Sequence, residues 1–178
     1  MRVIKLLSVV LLMSIINISC QSETDENVVF YSKDQLINSL PVQIKNTEGS
    51  LISVNSNTVI GLSSSSFFNE HMVSLKELNV PSMSFKIRNY NSNSSLMSNI
   101  KVFLDEIQIT NDLGVNFLNA ANNNIKIDVT NQQLLETIAS KLLQKKEVVI
   151  SFYSDAVTQD QMAFDFEFCI TANGTFVD

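Results

Sequence analysis

No tryptophan, one histidine, two cysteines, two prolines and four glycines occur among the 178 residues. A single histidine, His71, excludes every zinc site built on two or more imidazoles, and it leaves one candidate base for a serine or cysteine nucleophile. The glycines at 49, 61, 114 and 174 are isolated, with no GxGxxG or GxxxxGKS/T arrangement, so a phosphate-cradling nucleotide loop is excluded. With so little Pro and Gly, no long linker divides the chain. Basic runs of five or more residues are also missing and the formal net charge is -6, which removes the electrostatic footprint that nucleic acid or anionic lipid requires.

What is present begins at the N-terminus. Arg2 and Lys5 open the chain, an apolar run follows from Leu6 to Ile16, and Asn17, Ile18 and Ser19 lead to Cys20. That order is the order of a secretory signal. The run is too short for a spanning helix, which needs about 20 predominantly apolar residues. A cysteine directly after a small residue at the end of such a run matches the lipobox read by the lipidating enzyme, although Asn17 stands where Leu or another apolar residue is commonest. We therefore expect a signal peptide over 1–19 and lipid on Cys20. The alternatives are an unmodified cysteine near an ordinary cleavage site, or a disulfide with Cys169. Gln21 to Asn27 carries three carboxylates and no apolar side chain, and reads as a flexible tether over 20–27 with nothing to bury. Loss of Arg2 and Lys5 with the signal moves the formal charge from -6 to -8.

The stretch Met1 to Asn27 resembles the export signal of surface lipoproteins in Bacteroidota-type bacteria, in which an acid-rich segment follows the lipidated cysteine. The resemblance implies outer-membrane placement, with the domain exposed at the cell surface. It also implies a triacylated Cys20, which would satisfy the need for at least two hydrophobic signals in stable anchoring.

Residues 28–178 have the size of one domain. Met83, Phe85 and Ile87 alternate with polar residues and predict a strand over Ser82 to Asn89. Asn99 to Ile109 predicts two strands separated by a turn or bulge at Asp105 and Glu106. Glu147 to Tyr153 and the alternating run Met162, Phe164, Phe166, Phe168, Ile170 predict a C-terminal hairpin closed by Ser154 to Gln161. Weaker strands are expected at Val28 to Ser32, Val42 to Lys45, Leu51 to Val54, Thr58 to Leu62 and Ile125 to Val129. Thr130 with Gln133 forms a candidate capping box for a helix carrying Leu134, Leu135, Ile138, Leu142 and Leu143. A second helix is expected over Phe67 to Leu78. The polar runs Ser63 to Ser66, Asn91 to Ser95 and Asn122 to Asn124 read as loops. The fold class expected is mostly β: an antiparallel β-sandwich with one or two short inserted helices.

Candidate chemistry is sparse. His71 falls inside the expected second helix, where an ordinary solvent-facing residue is the simpler reading. Cys169 lies opposite the Phe164, Phe166, Phe168 stripe, pointing outward unless a helix covers it, and is left a free thiol if Cys20 carries lipid. Carboxylate pairs of the kind glycan-cleaving enzymes use are Asp105 with Glu106, Asp165 with Glu167, and Asp155 with Asp160. Ordinary solvated strand residues account for them equally. No loop has the spaced acids and Gly of a calcium-binding EF-hand, and no metal or cofactor is expected. The sequons at Asn93 and Asn173 read as loop polarity.

From about Asn57 onward, the order of a TVIGLSS strand, a helix ending in KELNVPSMSFKIRNY, a TNQQLLETIASKLLQKKEVVISF helix and strand, and a closing strand is similar to small lipoproteins of Bacteroidota-type bacteria. That likeness implies a β-sandwich and carries over no functional residue. The function expected is a non-catalytic binding or structural module held at the membrane through Cys20, with a protein or glycan partner. A cell-envelope hydrolase for glycan or peptide, and an accessory subunit of an outer-membrane uptake complex, are the other readings. Exposed aromatics in loops would favour glycan, and Tyr90 is the one aromatic beside an Asn/Ser loop.

Overall fold

In a computed structural model of the protein, residues 28–91, 96–109, 123–159 and 161–177 are described. The expected signal peptide, Cys20 and its tether lie outside them, as do Asn93, Gly114, Asn122 and Asp160. The described residues form β1 (Val29–Ile44), β2 (Ile52–Gly61), a 3-10 turn (Leu62–Ser64), α1 (Ser66–Glu70), β3 (Leu75–Arg88), β4 (Leu96–Leu104) and β5 (Ile107–Gln108). They continue with β6 (Lys126–Val129), α2 (Gln132–Lys145), β7 (Glu147–Val157) and β8 (Met162–Val177). Two four-stranded sheets result, ordered β1-β8-β3-β6 and β2-β7-β4-β5, with every pairing antiparallel. The architecture is the mostly β, two-sheet sandwich expected.

The aromatic period in β8 explains its position. Met162, Phe164, Phe166, Phe168, Ile170, Ala172 and Phe176 are buried on one face, alternating with half-exposed residues on the other. A strand with so large an apolar payload gains most at the centre of a sheet, facing another sheet. β8 accordingly lies between β1 and β3, and its register with β1 runs unbroken from Val29 opposite Val177 to Ile44 opposite Met162. Val148, Ile150, Phe152 and Ala156 of β7 face it from the second sheet, and one continuous core includes both sets. The buried face of α2, with Leu134, Leu135, Ile138, Ala139 and Leu142, joins this core against β3 and β7.

Five sequence expectations are corrected. β7 and β8 do not form a hairpin: they belong to different sheets. Both strands are apolar on one face, so placing them in opposite sheets buries each face against the other. The weak strands at Val28 to Ser32 and Val42 to Lys45 are the ends of one long β1. Those at Leu51 to Val54 and Thr58 to Leu62 are one β2. In both cases pairing with a long central partner carries the ladder through polar residues of poor strand propensity. The expected helix over Phe67 to Leu78 stops at Glu70, and β3 starts at Leu75. So short a helix is marginal alone. Pairing of Leu75 with Phe176, and the bond from Val177 N–H to Ser74 C=O at 2.9 Å, draw the chain into the sheet instead. Finally, Asn131 rather than Thr130 caps α2, its side chain accepting from Leu134 N–H at 3.1 Å.

The expected turn at Asp105 and Glu106 between two strands is observed. Asp105 takes a φ of 51°, a left-handed conformation that Asp tolerates better than most side chains.

Candidate functional site

The outer face of the first sheet consists of cross-strand rows, each taking one residue from β1, β8 and β3. From one end they are Tyr31–Thr175–Glu77, Lys33–Asn173–Asn79, Gln35–Thr171–Ser82, Ile37–Cys169–Ser84, Ser39–Glu167–Lys86 and Pro41–Asp165–Arg88. The face divides into two parts by how its polar groups are used.

In the part from Thr171 to Asp165 three pairs of side chains are bonded to one another. Ser82 Oγ lies 3.0 Å from Thr171 Oγ1, Arg88 Nη2 donates to Glu167 Oε1 at 3.4 Å, and Asn89 Nδ2 donates to Asp165 Oδ2 at 2.6 Å. Asp165 and Glu167 do share a face, as their spacing indicates. Each is held by its own neighbour, Glu167 by Arg88 and Asp165 by Asn89.

The other part is an open groove of about 670 Å³, lined chiefly by Tyr31, Lys33, Glu77, Asn79, Asn173 and Thr175. Among the described residues, none of these six side chains is in a hydrogen bond or ion pair. Asn173 Oδ1 is buried without a partner. Leaving a buried acceptor unpaired costs about 1–3 kcal/mol, so an acceptor held this way is poised to gain from a donor brought to it. Tyr31 supplies the aromatic surface and is 78% exposed.

Local backbone irregularity shapes this groove. The register of β3 against β8 shifts between Leu75 and Glu77 and again between Asn79 and Ser82, so bulges bracket the three-residue segment that lines one wall. A bulge bends its strand and re-aims side chains. Pro81 sits within the second bulge, where a missing ladder N–H is tolerated. The floor depends on Gly174, whose core-facing side has no room for a side chain: a Cβ there would come within 2.6 Å of the Phe176 ring and 2.8 Å of the Phe68 ring.

Beneath the groove lies an aromatic cluster that contains His71. Its ring is 4.7 Å from Phe67, 5.5 Å from Phe30 and 6.1 Å from Phe176, centroid to centroid. His71 is therefore not a solvent-facing helix residue; it ends α1 and is half-buried among phenylalanines. Ser74 N–H donates to the His71 backbone carbonyl at 3.1 Å, and the imidazole itself packs against phenylalanine rings.

The remaining sequence candidates serve structure. Asp105 is the most constrained carboxylate: Oδ2 accepts from Lys141 Nζ at 2.8 Å and Lys145 Nζ at 3.4 Å, and Oδ1 accepts from Val149 N–H at 3.0 Å. Burial pushes its pKa up, but the Lys141 bond, the Val149 bond and the two ammonium charges outweigh that and hold it below the ordinary value. It thus ties the β4–β5 turn to α2 and β7. Glu106 beside it is exposed and takes no part in the tie. Asp155 accepts from Ser53 Oγ at 3.1 Å and Asn99 Nδ2 at 2.6 Å, and its expected partner Asp160 is outside the described residues. Tyr90 is half-buried with its ring 6.4 Å from Phe164, so it is a core neighbour rather than a loop platform.

Cys169 is a free, half-buried thiol on the outer face, between Ile37 and Ser84. α2 packs toward the core and does not cover it. Burial pushes its pKa above the ordinary thiol value; Glu167 adds to this, while Lys126 and Lys86 oppose it.

A second groove, of about 470 Å³, lies on the outer face of the other sheet among Lys101, Phe103, Asp105, Glu106 and Tyr153. Phe103 and Tyr153 meet edge to face at 5.5 Å. Its buried carboxylate is the structural Asp105, already committed to two lysines.

The groove-lining residues were not singled out by the sequence, because Asn173-Gly174 reads as a turn and Asn79 follows an apparent helix. The available signal was the continuing alternation after Ile170, which carries β8 on through Ala172, Gly174 and Phe176. No described helix is long and apolar enough to cross a membrane, and no described group of three His, Cys, Asp or Glu side chains is placed to hold a metal ion. Comparison of the chain with models of known protein families, with curated proteins and with solved structures finds no match.

Proposed function

We propose that this protein is an exported lipoprotein, mature from Cys20, whose lipid holds a non-catalytic β-sandwich at the surface of the outer membrane as a recognition module. The observation that carries the recognition reading is the contrast on one sheet face: three bonded pairs of polar side chains in one half, and a groove of uncommitted ones around the buried, unpaired Asn173 Oδ1 in the other. A surface serving only as a solvated exterior has no need to retain an orphaned acceptor.

The anchor reading is supported by the order of basic, apolar and small residues before Cys20. β1 starts at Val29, nine residues beyond Cys20, and Tyr31 and Lys33 of the groove lie at that same end of β1. A fully extended chain advances at most about 3.6 Å per residue, so the tether keeps the groove within about 40 Å of the lipid. The module would therefore meet ligands at or near the membrane surface.

Metabolic labelling with an alkyne fatty acid, followed by mass spectrometry of the N-terminal peptide, tests the anchor. The expected result is a lipid-modified Cys20 at the new N-terminus and loss of label in Cys20→Ser. An uncleaved and unmodified N-terminus would refute it.

A further inference from the structure

We infer that the groove lined by Tyr31, Lys33, Glu77, Asn79, Asn173 and Thr175 binds a saccharide, as a free glycan or as the headgroup of a glycolipid. This rests on the recognition reading above and names the ligand class for that surface.

Four properties of the lining select this chemistry. The groove offers donors and acceptors together: two carboxamides, a hydroxyl, an ammonium, a carboxylate and a phenol, none of them spent on a neighbour among the described residues. A sugar is the common ligand that presents closely spaced hydroxyls, each able both to donate and to accept. The unpaired Asn173 Oδ1 in particular favours a ligand able to donate, which a phosphate diester or sulfate is not.

Charge points the same way. Lys33 stands beside Asn173 on β1 and Glu77 in the neighbouring row on β3, and they carry opposite charge, so the lining is neutral overall, within a chain whose net charge is -6. A neutral ligand suits that balance better than a polyanion.

The exposed Tyr31 ring supplies the apolar component. The C–H face of a pyranose lies flat against an aromatic face and gains dispersion there, while the phenol remains free to hydrogen-bond. Tyr31 opens the row next to that of Asn173, so one ring-sized ligand can cover both. Last, the groove is open along the sheet rather than closed, which admits an internal unit of a chain or a headgroup still attached to its lipid.

The test uses the full lipidated chain in detergent and follows the side-chain amide NMR signals of Asn79 and Asn173. The probes are neutral tetrasaccharides of glucose, galactose, mannose and N-acetylglucosamine, at about 10 mM, roughly tenfold above a millimolar Kd. Phosphatidylcholine vesicles with and without a neutral glycolipid form a second arm. At least one sugar is expected to move both signals while Asn38 stays fixed, with affinity reduced about tenfold or more in Tyr31→Ala and in Asn173→Ala. Movement with the free sugar identifies a glycan ligand, and movement only with glycolipid vesicles identifies a headgroup; either supports the inference.

If no sugar in either arm moves Asn79 or Asn173, or if Tyr31→Ala binds equally well, the saccharide assignment is overturned. A mixed-sequence tripeptide pool at the same concentration separates the two levels. Shifts from peptide alone would overturn the sugar while leaving a recognition groove, whereas no shift from any probe would count against both.

Discussion

Phe152 of β7 and Phe166 of β8, on strands that follow one another in the chain, meet across the sandwich with ring centroids 5.1 Å apart. Phe166 also touches Phe164, Phe168 and Phe85, with centroids at 5.2, 6.0 and 5.8 Å, so it sits at the middle of the aromatic core. Phe166→Ala removes this centre and leaves a cavity that rigid strands on both sides cannot close. The expected loss is about 3–5 kcal/mol of unfolding free energy, read as a lower urea midpoint. A change under about 1 kcal/mol would mean that the two sheets are not packed face to face here.

Gly174→Ala tests the contact between groove and core. The added methyl would overlap the Phe176 and Phe68 rings at under 3 Å, and both rings are fully buried. Overpacking of this kind costs about 1–3 kcal/mol. The expected outcome is a lowered thermal midpoint together with displaced backbone signals for Asn173 and Thr175, because ring and groove floor must move apart.

Asp105 gives the fold a defined acid sensitivity. Its folded-state pKa lies below the ordinary 3.8, so the unfolded chain binds the proton more readily. The stability it contributes is fully present above the ordinary carboxyl value and is lost as pH falls through the lower folded value. Asn retains the left-handed backbone but not the charge. Between about pH 5 and pH 2, the stability difference between the native protein and Asp105→Asn is expected to shrink. A difference that stays constant across that range would contradict the pairing with Lys141 and Lys145.

Cys169 should be a slow nucleophile. Its raised pKa and partial burial leave little thiolate at neutral pH, so iodoacetamide labelling of the native protein at pH 7.5 is expected to be at least about tenfold slower than of the urea-unfolded chain. Equal rates would show that the thiol is neither covered nor shifted.

Much of the fold could be read in the sequence wherever a period of two was strong: Met83 to Ile87, the Asp105 turn and Met162 to Ile170 all appear as expected. The errors share a physical origin. Periodicity shows which face of a strand is apolar but not which strand faces it, so the sequence of β7 and β8 predicts a pair where the fold has opposing layers. The polar middle of β1 carries no local strand signal, and pairing along the whole of β8 decides it. Met72 and Leu75 satisfy a helical spacing that predicts a longer helix after Phe67, and tertiary pairing overrides it. The groove was the least legible feature. It depends on two bulges in β3 and on a glycine inside a strand, and local sequence assigns all three to loops or a helix.

The most direct test is the side-chain amide signal of Asn173 in the lipid-anchored protein, recorded before and after addition of an envelope extract from the cells that make it. A shift of Asn173 with Asn79, unchanged Asn38 and loss of the effect in Tyr31→Ala are the predicted results. An unmoved Asn173, or shifts confined to the groove of Phe103 and Tyr153, would contradict the assignment of this face as the recognition surface.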